Sequence, residues 1–333
     1  MVVTVIRTGI VGLGWWGQRL LDAARPAGDC IRFVHAVSPR PELRRDIADA
    51  HGMRLSPSIA AMLRDPEVEA VVLATPHSLH ADQIIEVACA GKPILCEKPF
   101  TLTRADAVRA VLACEQAGVL LAIGHNRRFL PALAELKHLI GAGTLGRLLH
   151  VEGHISNQNS SNNFAAWRHD ADESPAGGLT GTGVHMLDCF VNLLGPVRRV
   201  TTQLLTWQSP PDALDSLSVL LEFQNGMSGM LATVRVTPVT WRLHVFGTEG
   251  NVENHDQTEL TLRLAGKPLE QRSLPEVDTL RLELEAFAGA VEGRAPYPLP
   301  YDQMIDTVAV FEAITRSVAN GGRTTEVESH PRA

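Results

Sequence analysis

Aromatic residues are scarce in this chain: they make up 5% of it, and only two are tyrosines. Cysteine is equally rare, with five in 333 residues, and Cys30, Cys89, Cys96, Cys114 and Cys189 are scattered without any C-x-x-C spacing. That excludes a disulfide framework and a zinc site, and it fits small, reduced, buried thiols in a cytoplasmic protein. No apolar run is long enough to span a bilayer, so no membrane partner is expected. The first residues, MVVTVIRTGIVG, lack a basic region followed by an apolar stretch and a cleavage site, and they read as a buried strand. An excess of positive charge is also missing. The net charge of −7 gives no electrostatic basis for binding nucleic acid or an anionic membrane surface. No internal repeat is present, and the one compositionally biased stretch, NQNSSNN at 157–163, reads as a surface loop.

What the chain does have is a full complement of core residues, 45% hydrophobic, and a length suited to two domains. Apolar runs at 31–37, 68–74, 93–96 and 119–123 alternate with helix-like spacing at 18–25, 41–51, 81–90 and 105–117. Strands and helices alternating at this length imply βαβ units and a parallel sheet. Beyond Asn126 the pattern changes to longer extended runs, at 148–155, 200–207, 216–223, 228–236, 241–246 and 258–264. Several of these alternate in polarity, and Gln224-Asn225-Gly226 separates two of them as a hairpin turn. A last helix is expected over 301–319, before Gly321-Gly322. The expected fold is therefore α/β: an N-terminal, doubly wound parallel sheet of Rossmann type over 1–124, then an α+β domain over 125–333. The second domain is expected to hold a large, mainly antiparallel sheet with one face covered.

The most informative segment is VIRTGIVGLGWWG. An apolar strand runs into Gly12, Gly14 and Gly17, and a helix follows at once. In this strand–turn–helix setting the first glycine permits a tight turn, the second lets main chain approach a pyrophosphate, and the third allows close packing of helix on strand. The N–H groups at the helix start then face the phosphates. In the NAD version of such a fold an acidic residue ends the second strand and binds the ribose 2′-hydroxyl. Here the strand ends Val37-Ser38-Pro39-Arg40, with no carboxylate until Glu42. A serine hydroxyl and a guanidinium are donors suited to a 2′-phosphate. NADP(H) is the preferred cofactor and NAD(H) the other possibility; the competing role for Arg40 is a loop cap.

Further motifs follow in order: Thr75-Pro76 with His77 and His80, Glu97-Lys98-Pro99, Asn126 to Phe129 with Pro131, Trp167-Arg168, Gly183-Val184-His185 with Asp188, and Glu312-Ala313-Ile314. With the glycine turn they resemble the Gfo/Idh/MocA oxidoreductases, the group of glucose–fructose oxidoreductase and inositol dehydrogenase, over nearly the whole chain. The resemblance implies a dehydrogenase or reductase acting on CH–OH, with Lys98 and His185 as catalytic residues and a cis Lys98–Pro99 bond. A lysine so placed donates to the substrate oxygen and stabilises charge developing on it. An imidazole takes the hydroxyl proton as hydride leaves the same carbon. Around the cofactor it implies Gly12, Gly14, Trp15, Trp16, Gly17, Ser38, Arg40, Thr75, Pro76, His77, His80, Glu97, Lys98, Asn126 and Arg127. Around a small-molecule substrate it implies Lys98, Arg127, Trp167, Arg168, Thr182 and His185. The arginines either fork onto a substrate carboxylate or hold main-chain carbonyls at the domain junction. His77 and His80 have no third ligand at suitable spacing, so no metal is expected.

One departure stands out. Members of this family that oxidise sugars or polyols carry an aspartate four residues before the histidine, where this chain has Gly181. Thr180 or Thr182 offers a neutral hydrogen bond instead, and Asp188 follows one turn later. A carboxylated compound or a cyclic diol is therefore expected in preference to a sugar. Two other functions remain open: a closed redox cycle on a tightly held nucleotide, as in some glycosidases of similar fold, and a non-catalytic cofactor sensor. A homodimer or homotetramer formed through the C-terminal sheet is expected as well.

Overall fold

The strand β1 (Ile6–Val11) is buried at almost every position because its sheet is covered on both faces, as parallel sheets are. The same holds for β4 (Ala70–Leu73) and β5 (Ile94–Glu97), whose residues are all buried. The structure is a computed structural model, which describes residues 5–24, 30–157, 166–206, 215–235 and 237–328. Of the loop expected at 157–163, Asn157 ends a strand and the remainder lies outside the described residues, as do the expected element ends at Arg25, Trp207 and Val236.

The first unit contains residues 1–126 and 278–301. With β2 (Ile31–Val37), β3 (Arg54–Ser56) and β6 (Leu121–Gly124), the six strands form a parallel sheet in the order β3-β2-β1-β4-β5-β6. The order reverses between β1 and β4, and ligands of open α/β sheets bind at such a reversal. The helices α1 (Trp15–Ala24), α2 (Arg45–Ala50), α3 (Ile59–Leu63), α4 (His80–Cys89) and α5 (Arg104–Ala117) link the strands. Side-chain caps set two of their starts: Ser58 accepts from the Ala61 N–H and Thr103 from the Asp106 N–H, each at 3.2 Å. Gly118 ends α5 in the left-handed conformation, φ 65°.

The helix expected at 41–51 is a short 3-10 turn, Pro41–Leu43, followed by α2. The segment 278–301, assigned from the sequence to the second domain, packs in the first unit. Its helix α8 (Thr279–Val291) lies against α1 and β2. The chain's two tyrosines tie this segment to β6: Tyr297 Oη donates to Ile123 O at 3.0 Å, and Tyr301 Oη accepts from Leu121 N at 3.2 Å.

The second unit contains residues 127–277 and 302–333. Its strands are β7 (Leu148–Asn157), β8 (Val197–Thr206), β9 (Asp215–Phe223), β10 (Ser228–Arg235), β11 (Thr240–Gly247), β12 (Gly250–His255), β13 (Glu259–Leu264), β14 (Glu270–Ser273) and β15 (Thr325–Glu326). They form one nine-stranded sheet in the order β14-β13-β12-β11-β7-β10-β9-β8-β15, parallel only where β10 meets β7. The expected hairpin joins β9 to β10, with Gly226 at φ 86° and Asn225 Oδ1 accepting from Met227 N.

Among the described residues three helices belong to this unit: α6 (Pro131–Gly141), α7 (Val184–Leu194) and α9 (Tyr301–Ala319), the last beginning on the final residue of the first unit. α7 lies directly on β7. A Cβ at Gly153 would sit 2.6 Å from Met186 and 2.7 Å from Phe190, so only glycine admits the helix this closely. Fully burying Phe190 contributes about 1.5–3 kcal/mol. Among the described residues no helix is long and apolar enough to cross a membrane.

Candidate active site

In the first unit the three glycines of the turn after β1 have distinct physical reasons. Gly12 has φ +98°, and a Cβ there would stand 2.4 Å from Ala74 O, at the end of β4. A Cβ at Gly17 would stand 2.1 Å from Gly12 O, so helix α1 can pack on the turn only without one. At Gly14 a Cβ would meet nothing within 4 Å. Two of the glycines are thus demanded by the fold itself, and the third leaves an open cradle at the first turn of a ten-residue helix. This fits a nicotinamide dinucleotide, whose pyrophosphate needs main-chain N–H groups and space at that position. Trp15 is half exposed and Trp16 partly buried; the Trp16 Nε1 is buried and makes no hydrogen bond among the described residues.

Two loops meet this turn. The Lys98 ammonium lies 5.8 Å from the centre of the Trp16 ring, which brings the end of β5 beside the glycine turn. The Lys98–Pro99 peptide is cis. Glu97 is buried, with its carboxylate against the Cα of Gly124, where a Cβ would approach it within 3.0 Å. The His80 ring is fully buried, with Nδ1 2.9 Å from Pro99 O and Nε2 3.1 Å from Thr75 O. These contacts hold the Thr75-Pro76 loop to the Lys98-Pro99 loop. Thr75 Oγ1 donates to Gln83, and His77 is buried beside His80 with ring centres 6.0 Å apart. Asn126 Nδ2 donates to Thr279 Oγ1 at 2.8 Å, at the start of α8.

At the end of β2, Ser38 Oγ accepts from Arg40 N at 3.3 Å, which shapes the loop and leaves the Arg40 side chain exposed to solvent. Beneath it lies a network that sequence reasoning missed. His35 Nδ1 is 2.7 Å from Asp65 Oδ2, His35 Nε2 is 3.0 Å from Ser56 Oγ, and Arg54 pairs with the same aspartate. Ser38 N donates to Ser56 O at 3.1 Å, so this network pins β3 to the Ser38 loop. Its members come from separate elements, and no local spacing announces it.

In the second unit a π-helical turn, Leu179–Gly183, runs into α7 and delivers His185, which is buried at 7% exposure. Thr180 Oγ1 donates to Pro175 O at 2.6 Å and Thr182 Oγ1 to Gly178 O at 2.9 Å. Both hydroxyl protons are thus used in shaping the turn. Asp188 is fully buried, and its carboxylate is gripped by Arg128 from Nε (3.0 and 2.9 Å) and Nη2 (2.7 Å). Arg128 Nη1 also donates to Gln303 on α9. Asp188 therefore anchors α7 and is no substitute for the carboxylate missing at Gly181, where a Cβ would meet nothing within 4 Å.

Arg127, the next residue along, has a different environment. Its guanidinium lies over the Trp241 ring at 5.0 Å. Arg168 lies over its neighbour Trp167 at 4.6 Å. Burial raises the Cys96 thiol well above its usual range and pushes Cys114 up to about 12, which disfavours the reactive thiolate at both.

The sheet order and the open glycine turn at its reversal define a dinucleotide-binding protein. Comparison with known proteins carries this further. A family model described as "Oxidoreductase family, NAD-binding Rossmann fold" matches residues 6–125, and the GFO/IDH/MocA C-terminal domain matches residues 133–253. The rhizopine catabolism protein MocA of Rhizobium meliloti is 30% identical, across 94% of this chain and 95% of its own. Inositol 2-dehydrogenase 2 of Saccharopolyspora erythraea is 31% identical, across 97% and 96%. A solved protein of Desulfitobacterium hafniense shares 26% identity over 97% of this chain and 98% of its own, with a TM-score of 0.87. The chain belongs to the Gfo/Idh/MocA oxidoreductases, a family of NAD(P)-dependent dehydrogenases.

Proposed function

We propose that the protein is an NADP(H)-dependent oxidoreductase that interconverts a secondary alcohol and a carbonyl. The observation that carries this reading is the open space at Gly14 beside Lys98, in the same unit and at the reversal of the sheet order. When bound, the nicotinamide supplies the hydride acceptor or donor. The protein's residues then have three tasks. Main-chain N–H groups of the glycine turn hold the phosphates. Lys98 donates a hydrogen bond to the substrate oxygen and stabilises the negative charge that grows on it during oxidation. His185 removes the hydroxyl proton in that direction and returns it during reduction. Its buried position at the start of α7 keeps the ring from bulk water.

Cofactor choice rests on Ser38 and Arg40, both donors, with the loop held by Ser38 and the Arg40 guanidinium extended into solvent where a 2′-phosphate can meet it. Replacing Ser38 with aspartate sets a carboxylate against that phosphate. The S38D variant is expected to shift the ratio of kcat/KM for NADPH over NADH by about 100-fold toward NADH, from like-charge repulsion and a lost hydrogen bond. An unchanged ratio places the 2′-phosphate elsewhere. The activity itself is tested by following reduced-nicotinamide absorbance over a panel of alcohols and carbonyls that includes non-sugars. Tightly held nucleotide and turnover independent of added NADP would instead indicate the closed cycle.

Self-association through the second sheet is part of the same proposal. On its face away from α7, Leu220 (60% exposed) and Met230 (38%) lie directly opposite one another on β9 and β10. Covering them with a second copy removes apolar surface from water. Sedimentation of L220E at a lower mass than the unaltered protein is the expected result.

A further inference from the structure

Arg127 and Arg128 are neighbours in sequence with opposite environments. Arg128 is neutralised by Asp188 through a fork of short hydrogen bonds. Arg127 has no carboxylate partner among the described residues, and its guanidinium rests on Trp241. Burial of this charge lowers its pKa, the mark of a cation short of compensating anions. Its platform is rigid. Trp241 is 3% exposed, its Nε1 donates to Asn254 Oδ1 at 2.7 Å, and the fully buried Asn254 donates in turn to Glu259 O at 3.0 Å.

The sheet register shows where this platform sits. Trp241 on β11 and Thr233 on β10 are each paired with Ile155 on β7, so the three residues form one row across neighbouring strands. Two strand spacings separate Trp241 from Thr233 by about 10 Å, the span of a small metabolite. Thr233 lies beneath the turn that delivers His185: a Cβ at Gly178 would be 3.1 Å from its hydroxyl, and one at Gly183 2.8 Å from its methyl. The Thr233 hydroxyl is buried and makes no hydrogen bond among the described residues. At one end of the row is thus a guanidinium fork on an aromatic face, and at the other a polar group beside the acid/base turn. Position 181 adds no carboxylate of the protein's own, only open space.

We infer that the substrate itself brings the missing anion: it carries a carboxylate, and Arg127, held flat on Trp241, is the residue that selects for it. This rests on the oxidoreductase reading above. A planar carboxylate matches a single pre-oriented guanidinium fork, and the incoming charge offsets the cost of holding Arg127 buried.

The test compares kcat/KM for matched pairs, gluconate against glucitol and quinate against inositol, with glycerol phosphate against glycerol as a separate anion. In the unaltered protein the carboxylates are expected to be preferred. In R127M, which keeps the stem over Trp241 and removes the fork, the carboxylate-to-neutral ratio falls by about 100-fold, mainly through KM. R127K, which keeps the charge without the fork, falls between the two and shows that the effect is not misfolding. A preference for the neutral compounds or for glycerol phosphate overturns the inference, and so does a ratio that R127M leaves unchanged. Should no compound be turned over, the oxidoreductase reading fails separately. Calorimetric titration with gluconate and quinate then decides on the anion site: binding lost in R127M supports it, and no binding to the unaltered protein overturns it.

Discussion

Alanine in place of Lys98 or His185 is expected to lower turnover by about a thousandfold, within the range that a positioned acid/base or oxyanion donor contributes. The two losses have different origins. Without the ammonium, the oxygen on the carbon from which hydride departs keeps its growing charge unstabilised. Without the imidazole, the hydroxyl proton has no acceptor and must leave to water. NADPH affinity should change little in either variant, because the proposed binding of the phosphates uses the glycine turn and the Ser38 loop rather than these side chains. Steady-state kinetics with a fluorescence titration of NADPH checks both halves of the expectation. Full activity in both variants removes the proposed chemistry, and a collapse of NADPH binding in H185A misplaces His185.

The second large effect is on stability. R128M is expected to cost about 3–5 kcal/mol, because it leaves Asp188 buried and charged with its ion-pair partner removed. The loss reaches the site as well, since Asp188 lies on the helix that carries His185. Urea denaturation monitored by tryptophan fluorescence measures it. The exposed pair between Arg198 and Glu222 is the control, where R198A should cost no more than about 1 kcal/mol. A midpoint for R128M as close to the unaltered protein as that of R198A would contradict the anchoring role of the pair.

What could be read from the sequence follows from whether its cause is local. The glycine turn is legible because strand, tight turn and helix start are contiguous, and the neighbours that require Gly12 and Gly17 lie at the end of the adjoining strand and within a few residues along the chain. Helix α5 is equally legible, with Thr103 at its start and Gly118 at its end. Helices α3, α6 and α8 passed unnoticed. α3 is only five residues long, and α6 and α8 lie outside the strand–helix alternation of residues 31–123.

The placement of 278–301 with the first unit depends on Tyr297 and Tyr301 meeting β6 from nearly 180 residues away, which no periodicity reveals. In the site, motif residues were found while their partners were not. Asp188 was noted, but its capture by Arg128 comes from a contact 60 residues distant. The contacts of His80 with Pro99 O and Thr75 O join two loops that are about 20 residues apart, which its motif does not announce. Trp241 and Thr233 gave no signal, because their importance lies in a shared row of the sheet rather than in their neighbours along the chain.

The most direct test of hydride chemistry uses NADPH deuterated at the transferable position of the dihydronicotinamide ring, incubated with the protein and a panel of ketones, with the products read by mass spectrometry and NMR. Proposed catalysis by Lys98 and His185 predicts one deuterium on the new carbinol carbon for the ketone that is reduced, at a rate greatly diminished in K98A and H185A. Product formed without deuterium at that carbon, or label transfer undiminished in both variants, would contradict it.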